Sequence, residues 1–293
     1  MYRHSKLNMI LFKRPDDLIN FIQKKRKSLI KIGFVPTMGA LHQGHISLIE
    51  KSKSENELTI CSIFINPTQF NNPNDFAKYP VTIDADIEQL ELNGCDILFM
   101  PSVADIYPEN FQKINFELGY LDTILEGKHR AGHFQGVCLV VKRLLEIVQC
   151  DIMYLGQKDY QQCMVLKKMV LDLMIPVEIK ISPTIREENG LAMSSRNKRL
   201  NGIEKANAFV IYEVLIFLKA NIFEISIPTL LKTSEIKLTA NGFKVDYIEI
   251  TDEILNPITS AEKKHTIVAL IAVSIGDIRL IDNMIINRAN NAE

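Results

Sequence analysis

The sequence predicts an α/β protein, in which a doubly wound parallel sheet is followed by a smaller α+β domain. Two observations carry this prediction. From residue 29 to residue 183, short β-rich runs alternate with segments whose apolar residues recur every three or four positions. After about residue 184 the order changes to two helical segments and then three β-rich runs. We therefore expect one domain over residues 1–184 and a second over residues 185–293.

The strands of the first domain are nearly continuous apolar runs, which is typical of parallel strands whose two faces are both covered. They are predicted at residues 31–36, 58–65, 96–101, 151–156 and 177–182. In the second domain, helices are predicted at residues 202–221 and 226–241, and strands at residues 244–250, 266–275 and 278–286.

Composition argues against several classes of function. The chain of 293 residues has 34 basic and 35 acidic residues, so it has no overall electrostatic drive toward nucleic acid. No apolar run approaches the roughly 20 residues that span a membrane. The five cysteines are scattered through apolar runs, which predicts buried free thiols in a reducing, cytoplasmic compartment.

The first motif with chemical content is "PTMGALHQGH", which follows the first long strand and leads into a helix. The carboxyl ends of parallel strands are where ligands bind in such sheets. A helix N-terminus offers unsatisfied N–H groups and the positive end of the helix dipole, so this turn suits an anion such as phosphate. His42 and His45 would add imidazole donors. A packing or capping pair, or a metal-binding pair, remains open.

The second motif is "AMSSRN" at residues 192–197, a loop dense with small hydroxyl residues and one arginine. Serine hydroxyls and backbone amides can hold a triphosphate, and arginine is suited to bidentate phosphate contact. A surface turn has a similar composition.

Together the two motifs resemble the signatures of the nucleotidyl-transferring superfamily that contains class I aminoacyl-tRNA synthetases and adenylyltransferases. Five segments narrow the resemblance to the pantothenate synthetase (pantoate–β-alanine ligase) family. They are "VPTMGALHQGH", "SIFINPTQFNNPNDFAKYP", "HRAGHFQGV", "GQKDYQQ" and "IREENGLAMSSRN". The resemblance extends from Met9 to about residue 286.

The resemblance implies a Rossmann-like catalytic domain with a C-terminal lid. It also implies ATP-dependent condensation of D-pantoate with β-alanine through a pantoyl adenylate, with release of pyrophosphate and AMP. Mg²⁺ would accompany ATP. A cytoplasmic homodimer is expected, with no nucleic-acid or membrane partner.

The same resemblance assigns the site residues. The expected catalytic residues are His42, His45, Lys158 and Arg196. The expected ATP-binding residues are Met38, Gly39, His42, His45, Gly156, Lys158, Asp159, Met193, Ser194, Ser195 and Arg196. The expected pantoate-binding residues are Asn66, Gln69, Arg130 and Gln162, and the candidate metal ligands are Asp86 and Gln89.

Some of these residues also have a purely structural interpretation. Lys158 could be a solvated lysine, Asn66 a turn former before Pro67, and Asp86 and Gln89 ordinary polar residues of an exposed helix face. Two positions depart from the family pattern, because Val81 stands where an arginine is common and Ala131 where a proline is common.

Two other functions compete with the ligase. One is an adenylyl-transferring enzyme that acts on a phosphate acceptor, which would need further basic residues at the acceptor site. The other is a nucleotide-binding regulatory or RNA-binding module without catalysis. Retention of all four expected catalytic residues argues against the latter.

Overall fold

The structure, a computed structural model, describes residues 9–71, 76–262 and 265–287. The middle of the motif that follows the second long strand, residues 72–75, lies outside the described residues. The chain divides into two compact units. The first contains Met1–Gly156 and Gln162–Pro183, and the second contains Gln157–Gln161 and Thr184–Glu293.

The first unit is built on a six-stranded sheet with strand order β1-β4-β3-β2-β5-β6, in which every pair is parallel. The strands are β1 (Ile10–Phe12), β2 (Ile32–Thr37), β3 (Leu58–Ile63), β4 (Ile97–Phe99), β5 (Ile152–Gly156) and β6 (Glu178–Ser182). The five predicted strands and the parallel sheet are confirmed. The short edge strand β1 was not predicted.

Seven helices with described bounds lie in the connections between these strands. They are α1 (Pro15–Arg26), α2 (Gln43–Glu55), α3 (Ile83–Leu92), α4 (Val103–Ile106), α5 (Leu125–His129), α6 (His133–Val148) and α7 (Tyr160–Asp172). Short 3-10 turns lie at Pro67–Gln69, Gly119–Asp122 and Gln157–Asp159.

Strands β2 and β3 are buried along almost their whole length, which is why their sequences are apolar without alternation. Val35 and Cys61 belong to a core cluster that includes Leu48 and Ile49 of α2. Helix α2 packs closely on the sheet at Gly33, because a Cβ atom there would lie 2.1 Å from the Oγ atom of Ser52.

The second unit contains an antiparallel sheet in the order β7-β8-β9. Its strands are β7 (Lys244–Asp252), β8 (Ile267–Ile275) and β9 (Ile278–Asn287), and its helices are α8 (Gly202–Asn207), α9 (Val210–Asn221) and α10 (Ile227–Ala240). The smaller α+β domain is therefore confirmed. The helix predicted over residues 202–221 is two helices, because the chain turns between Asn207 and Val210.

All five cysteines are buried free thiols, as predicted. Burial raises the pKa of Cys95 and of Cys138 to about 12, so these two thiols are poor nucleophiles at neutral pH. In the described part of the chain, no helix has the length and apolar character needed to cross a bilayer.

Candidate active site

The residues with chemical content in the first unit follow strands that are neighbours in the sheet. Strand β2 lies between β3 and β5. The turn that contains His42 and His45 follows β2, and the turn that contains Asn66 and Gln69 follows β3. Because parallel strands end at the same edge of the sheet, the fold brings these two turns together.

The two histidines form a reciprocal cap at the N-terminus of α2. His42 is the N-cap residue, and its Nδ1 accepts a hydrogen bond from the backbone N–H of Gly44 at 3.1 Å. The Nδ1 atom of His45 accepts from the backbone N–H of His42 at 3.3 Å. This is the geometry of a capping box, with imidazoles in place of the usual hydroxyl and carboxylate.

The cap fixes the tautomer of both rings. A neutral imidazole whose Nδ1 accepts a hydrogen bond carries its proton on Nε2, so each ring is set to donate from Nε2. The ring centroids of His42 and His45 lie 4.1 Å apart, with the ring planes tilted by 36°. The cap therefore holds the two imidazoles next to each other in a defined orientation.

Several backbone amides of this turn donate to partners inside the protein, so these N–H groups are not open to an anion. The N–H of Gly39 donates to Thr37 Oγ1 at 3.2 Å. The N–H groups of His45 and Ile46 donate to the carbonyl of His42, at 2.8 and 3.1 Å.

Asp86 of α3 holds the same turn from beneath. Its Oδ2 accepts from the N–H of Ala40 at 2.9 Å, and its Oδ1 accepts from the N–H of Leu41 at 2.8 Å. The side chain of Thr82 donates to Oδ1 as well, at 3.1 Å. Asp86 is 2% exposed, and Ala40 has a φ of 51°, a left-handed conformation that needs such support in a residue other than glycine.

Asp86 and Gln89 do not fit the metal site that the resemblance implies. Both carboxylate oxygens of Asp86 accept backbone N–H groups, and Gln89 lies exposed on α3. Within the residues that the structure describes, no group of three or more His, Cys, Asp or Glu side chains could hold a metal ion. These contacts give Asp86 a structural role in the turn.

Asn66, expected to bind pantoate, is 1% exposed and makes its hydrogen bonds within the protein. Its Nδ2 donates to Gln69 Oε1 at 3.2 Å and to the carbonyl of Gly136 at 3.1 Å. Its Oδ1 accepts from the phenol of Tyr107 at 2.9 Å. Burial raises the pKa of Tyr107, which keeps the phenol protonated as a donor. Asn66 therefore orients Gln69.

Gln69 lies beside Met38, which precedes the two histidines, and beside Arg130, which follows α5. Its Nε2 contacts Met38 Sδ at 2.7 Å, so two of the expected ligand-binding residues meet. Its backbone carbonyl lies 2.8 Å from His133 Nδ1 and 3.5 Å from an Arg130 nitrogen. Gln162 lies half-buried in the first turn of α7.

Lys158 and Asp159 belong to the 3-10 turn that follows β5, and this turn groups with the second unit. The ammonium nitrogen of Lys158 lies 3.8 Å from an Asp159 carboxylate oxygen, and its side chain is 18% exposed. Asn283 of β9 donates from Nδ2 to the carbonyls of Gln157 and Lys158, at 2.9 and 2.8 Å. Sequence reasoning missed Asn283.

The "MSSRN" loop is also held by residues of the second unit. Ser194 Oγ accepts from the N–H of Arg196 at 3.3 Å and begins the 3-10 turn Ser195–Arg199. Asn197 Nδ2 donates to Glu187 Oε1 at 2.8 Å and to the carbonyl of Ala192 at 3.0 Å. The loop is therefore an organised turn with its own internal cap.

The sequence profile of a protein family described as pantoate-beta-alanine ligase matches residues 10–285. The chain belongs to the pantoate–β-alanine ligase family. It is therefore a carbon–nitrogen ligase that joins pantoate to β-alanine, and the phosphate-acceptor transferase and the non-catalytic module are set aside. The pantothenate synthetase of Cytophaga hutchinsonii is 45% identical over 272 residues, which are 92% of this chain and 95% of that protein.

Solved structures of the ligase family share this fold. A crystal structure of pantothenate synthetase from Thermus thermophilus has a TM-score of 0.87 and 37% identity, with 95% of this chain and 100% of that chain covered. The ligase from Francisella tularensis, in a crystal structure described as complexed with beta-gamma ATP and β-alanine, has a TM-score of 0.79 and 42% identity. Coverage there is 95% of this chain and 98% of that chain.

Proposed function

We propose that this ligase activates D-pantoate with ATP and transfers the resulting acyl group to β-alanine. In the first step a pantoate carboxylate oxygen attacks the α-phosphorus of ATP, and the bond from that phosphorus to pyrophosphate breaks. In the second step the amine of β-alanine attacks the acyl carbon, the acyl–phosphate bond breaks, AMP leaves, and the amine loses a proton. Support comes from family membership and from the Francisella tularensis ligase, whose crystal structure is a complex with beta-gamma ATP and β-alanine.

The observation that carries the residue assignment is the paired imidazole cap. The first step brings an anionic carboxylate to a polyphosphate, so catalysis depends on donors placed where charge develops on the phosphoryl oxygens. His42 and His45 supply two Nε2 donors whose orientation the cap has already fixed. They act as hydrogen-bond donors to ATP phosphates without a fixed positive charge.

Residues of the second unit supply the remaining phosphate contacts in this proposal. Lys158 and Arg196 contribute full positive charges, and the hydroxyls of Ser194 and Ser195 donate hydrogen bonds. Met38, Gly39, Gly156, Asp159 and Met193 line the nucleotide. Mg²⁺ accompanies ATP as a counter-ion of its phosphates, since it keeps many waters and the protein offers it no cluster of carboxylates in the described residues.

Pantoate binding is assigned to Gln69, Gln162 and Arg130, with Asn66 holding Gln69 in place. Neutral amides can bind hydroxyl and carboxylate groups without neutralising the nucleophile, which the first step needs. Arg130 lies at the carbonyl of Gln69, so the same turn holds one cation close to the expected substrate position.

The test is the release of pyrophosphate and AMP from Mg-ATP with each substrate omitted in turn. We expect pyrophosphate release to depend on pantoate, and AMP release with turnover to require β-alanine. Absence of pantoate-dependent pyrophosphate release, from protein that binds ATP, would contradict the adenylate route.

The histidine assignment has matched variants. Asparagine is an excellent N-cap and glutamine suits the third position of a capping box, so His42→Asn and His45→Gln keep the helix cap and remove the imidazole. We expect either variant to lose at least ~100-fold in pantoate-dependent pyrophosphate release, with a melting temperature close to that of the unmodified protein. Near-normal release from either folded variant would refute the role of that ring.

A further inference from the structure

The turn that carries Lys158 is fixed by a buried side chain 125 residues away in the sequence. Asn283 lies on β9 and is 2% exposed. Its two Nδ2 hydrogens are spent on two consecutive carbonyls, those of Gln157 at 2.9 Å and Lys158 at 2.8 Å. Its Oδ1 accepts from the side-chain amide of Gln157 at 3.2 Å. The side chain of Asn283 therefore both donates hydrogen bonds to the turn and accepts one from it.

The neighbouring residue on β9 anchors this arrangement. The Oδ1 atom of Asp282 accepts from the backbone N–H of Asn283 at 2.7 Å. Its carboxylate also forms a bidentate ion pair with Arg186, at 2.6 and 3.1 Å. The guanidinium carbon of Arg186 lies 4.4 Å from the ring centroid of Tyr212. Asn283 is thus held by a charged pair that is itself packed and hydrogen-bonded.

We propose that Asn283 is a positioning residue for Lys158, acting through the two carbonyls of the turn. The proposal rests on the role assigned above to Lys158. A lysine carries its charge on a long flexible stem, so its placement depends on a fixed backbone at its base. A displacement of about 1 Å at a reacting group can cost about 100-fold in rate. Asn283 supplies that fixed base without contacting the substrate itself.

Asparagine is the side chain that this position requires. Aspartate would turn a carboxylate toward two carbonyl oxygens and stand beside Asp282, so it would repel the turn. Leucine has a similar branched shape but no donor, so it would leave both carbonyls without this partner, at about 1–3 kcal/mol for a carbonyl that is buried. Serine has a single hydroxyl donor and can serve one of the two carbonyls.

The test is a double-mutant cycle between Asn283→Ala and Lys158→Ala in the full chain, read as the rate of pantoate-dependent pyrophosphate release. We expect Asn283→Ala alone to lower kcat/KM for ATP by about 10- to 100-fold and to leave the KM for pantoate unchanged. In the Lys158→Ala background the same change should cost less than about threefold, because the group it positions is gone. Thr251→Val is the control, since Thr251 is also buried on the small sheet and donates to a backbone carbonyl at 2.9 Å.

The outcomes separate this proposal from the one on which it rests. If Lys158→Ala retains activity within about threefold of the unmodified ligase, the role of Lys158 fails. If Lys158→Ala is severe but Asn283→Ala costs the same factor in both backgrounds, Asn283 acts elsewhere and the positioning role is overturned. Should Asn283→Ala not fold, Asn283→Ser is analysed in the same cycle, with an intermediate loss expected. Failure of both to fold, while Thr251→Val folds, would also overturn the proposal, since Asn283 would then serve the fold.

Discussion

Replacing the carboxylate of Asp86 tests whether this side chain supports the turn that contains His42 and His45. Asp86→Asn removes one negative charge and replaces one acceptor oxygen with an NH₂ group of almost the same size. The remaining oxygen can accept from either Ala40 or Leu41, and the new NH₂ group then faces the other N–H. Asp84→Asn is the matched control, because Asp84 lies in the first turn of the same helix and is exposed.

The expected cost follows from the contacts. Hydrogen bonds to a charged acceptor contribute about 1.5–3 kcal/mol each, and a buried donor without a partner costs about 1–3 kcal/mol. One hydrogen bond to a charged acceptor is lost and one buried N–H group is left without an acceptor, so we expect Asp86→Asn to lower the free energy of unfolding by about 2.5–6 kcal/mol. The exposed Asp84→Asn should change it by less than about 0.5 kcal/mol. Urea denaturation of both variants measures the difference.

Catalysis should fall as well, because the turn carries His42 and His45. We expect Asp86→Asn to reduce pantoate-dependent pyrophosphate release by about 10- to 100-fold in protein that is folded at the assay temperature. The dependence of the rate on Mg²⁺ concentration should stay as it is in the unmodified ligase, since Asp86 spends its oxygens on amides. Activity that returns when Mg²⁺ is raised would show that Asp86 acts as a metal ligand. Unchanged stability would show that Asp86 does not support the turn.

Two further predictions concern packing and pH. Gly136→Ala should raise the KM for pantoate about tenfold or more and leave the KM for ATP alone, because the added Cβ would lie 2.3 Å from the backbone oxygen of Thr68 and displace the Asn66–Gln69 turn. Gly202→Ala, where a Cβ meets nothing within 4 Å, is the control, and an equal effect of both changes would count against this reasoning. Glu55→Gln should make the free energy of unfolding fall less steeply as the pH is lowered. The reason is that hydrogen bonds from Lys51, Tyr154 and Lys180 lower the pKa of Glu55 from 4.5 to about 2. The hydrogen bonds to ionised Glu55 contribute about 1 kcal/mol, as expected for a partly exposed group. This contribution is complete above pH 4.5 and declines as the pH falls toward 2. If the free energies of unfolding of the two proteins change in parallel from pH 6 to pH 3, the prediction is wrong.

The sheet could be predicted because its main strands are short, nearly continuous apolar segments. Runs such as residues 58–63 are apolar at almost every position, and only a strand covered on both faces tolerates that over so short a length. Strand β1 was missed because three residues beside a charged helix start give no pattern. The split between α8 and α9 was missed because apolar spacing continues across it.

The sequence identified the histidine pair of the candidate site but not the residues that support it. The histidine pair stands in one continuous motif, so local sequence was enough to find it. The supports of the site come from residues distant in sequence: Asp86 lies 46 residues from Ala40, and Asn283 lies 125 residues from Lys158. A single sequence contains no signal for such pairings. The same limit hides the partners of Asp86, because its capacity as an acceptor is visible in the sequence while the amides that it binds are not.

The assignment of Gln157–Gln161 to the second unit has a consequence for how the polypeptide can be divided. A fragment that ends at Pro183 contains Lys158 but lacks Asn283, and a fragment that begins at Thr184 contains Asn283 but lacks the turn it binds. Cleavage between these two residues would therefore separate each partner from the other in both products. Neither half expressed alone should therefore have ligase activity, because neither contains both Lys158 and Asn283.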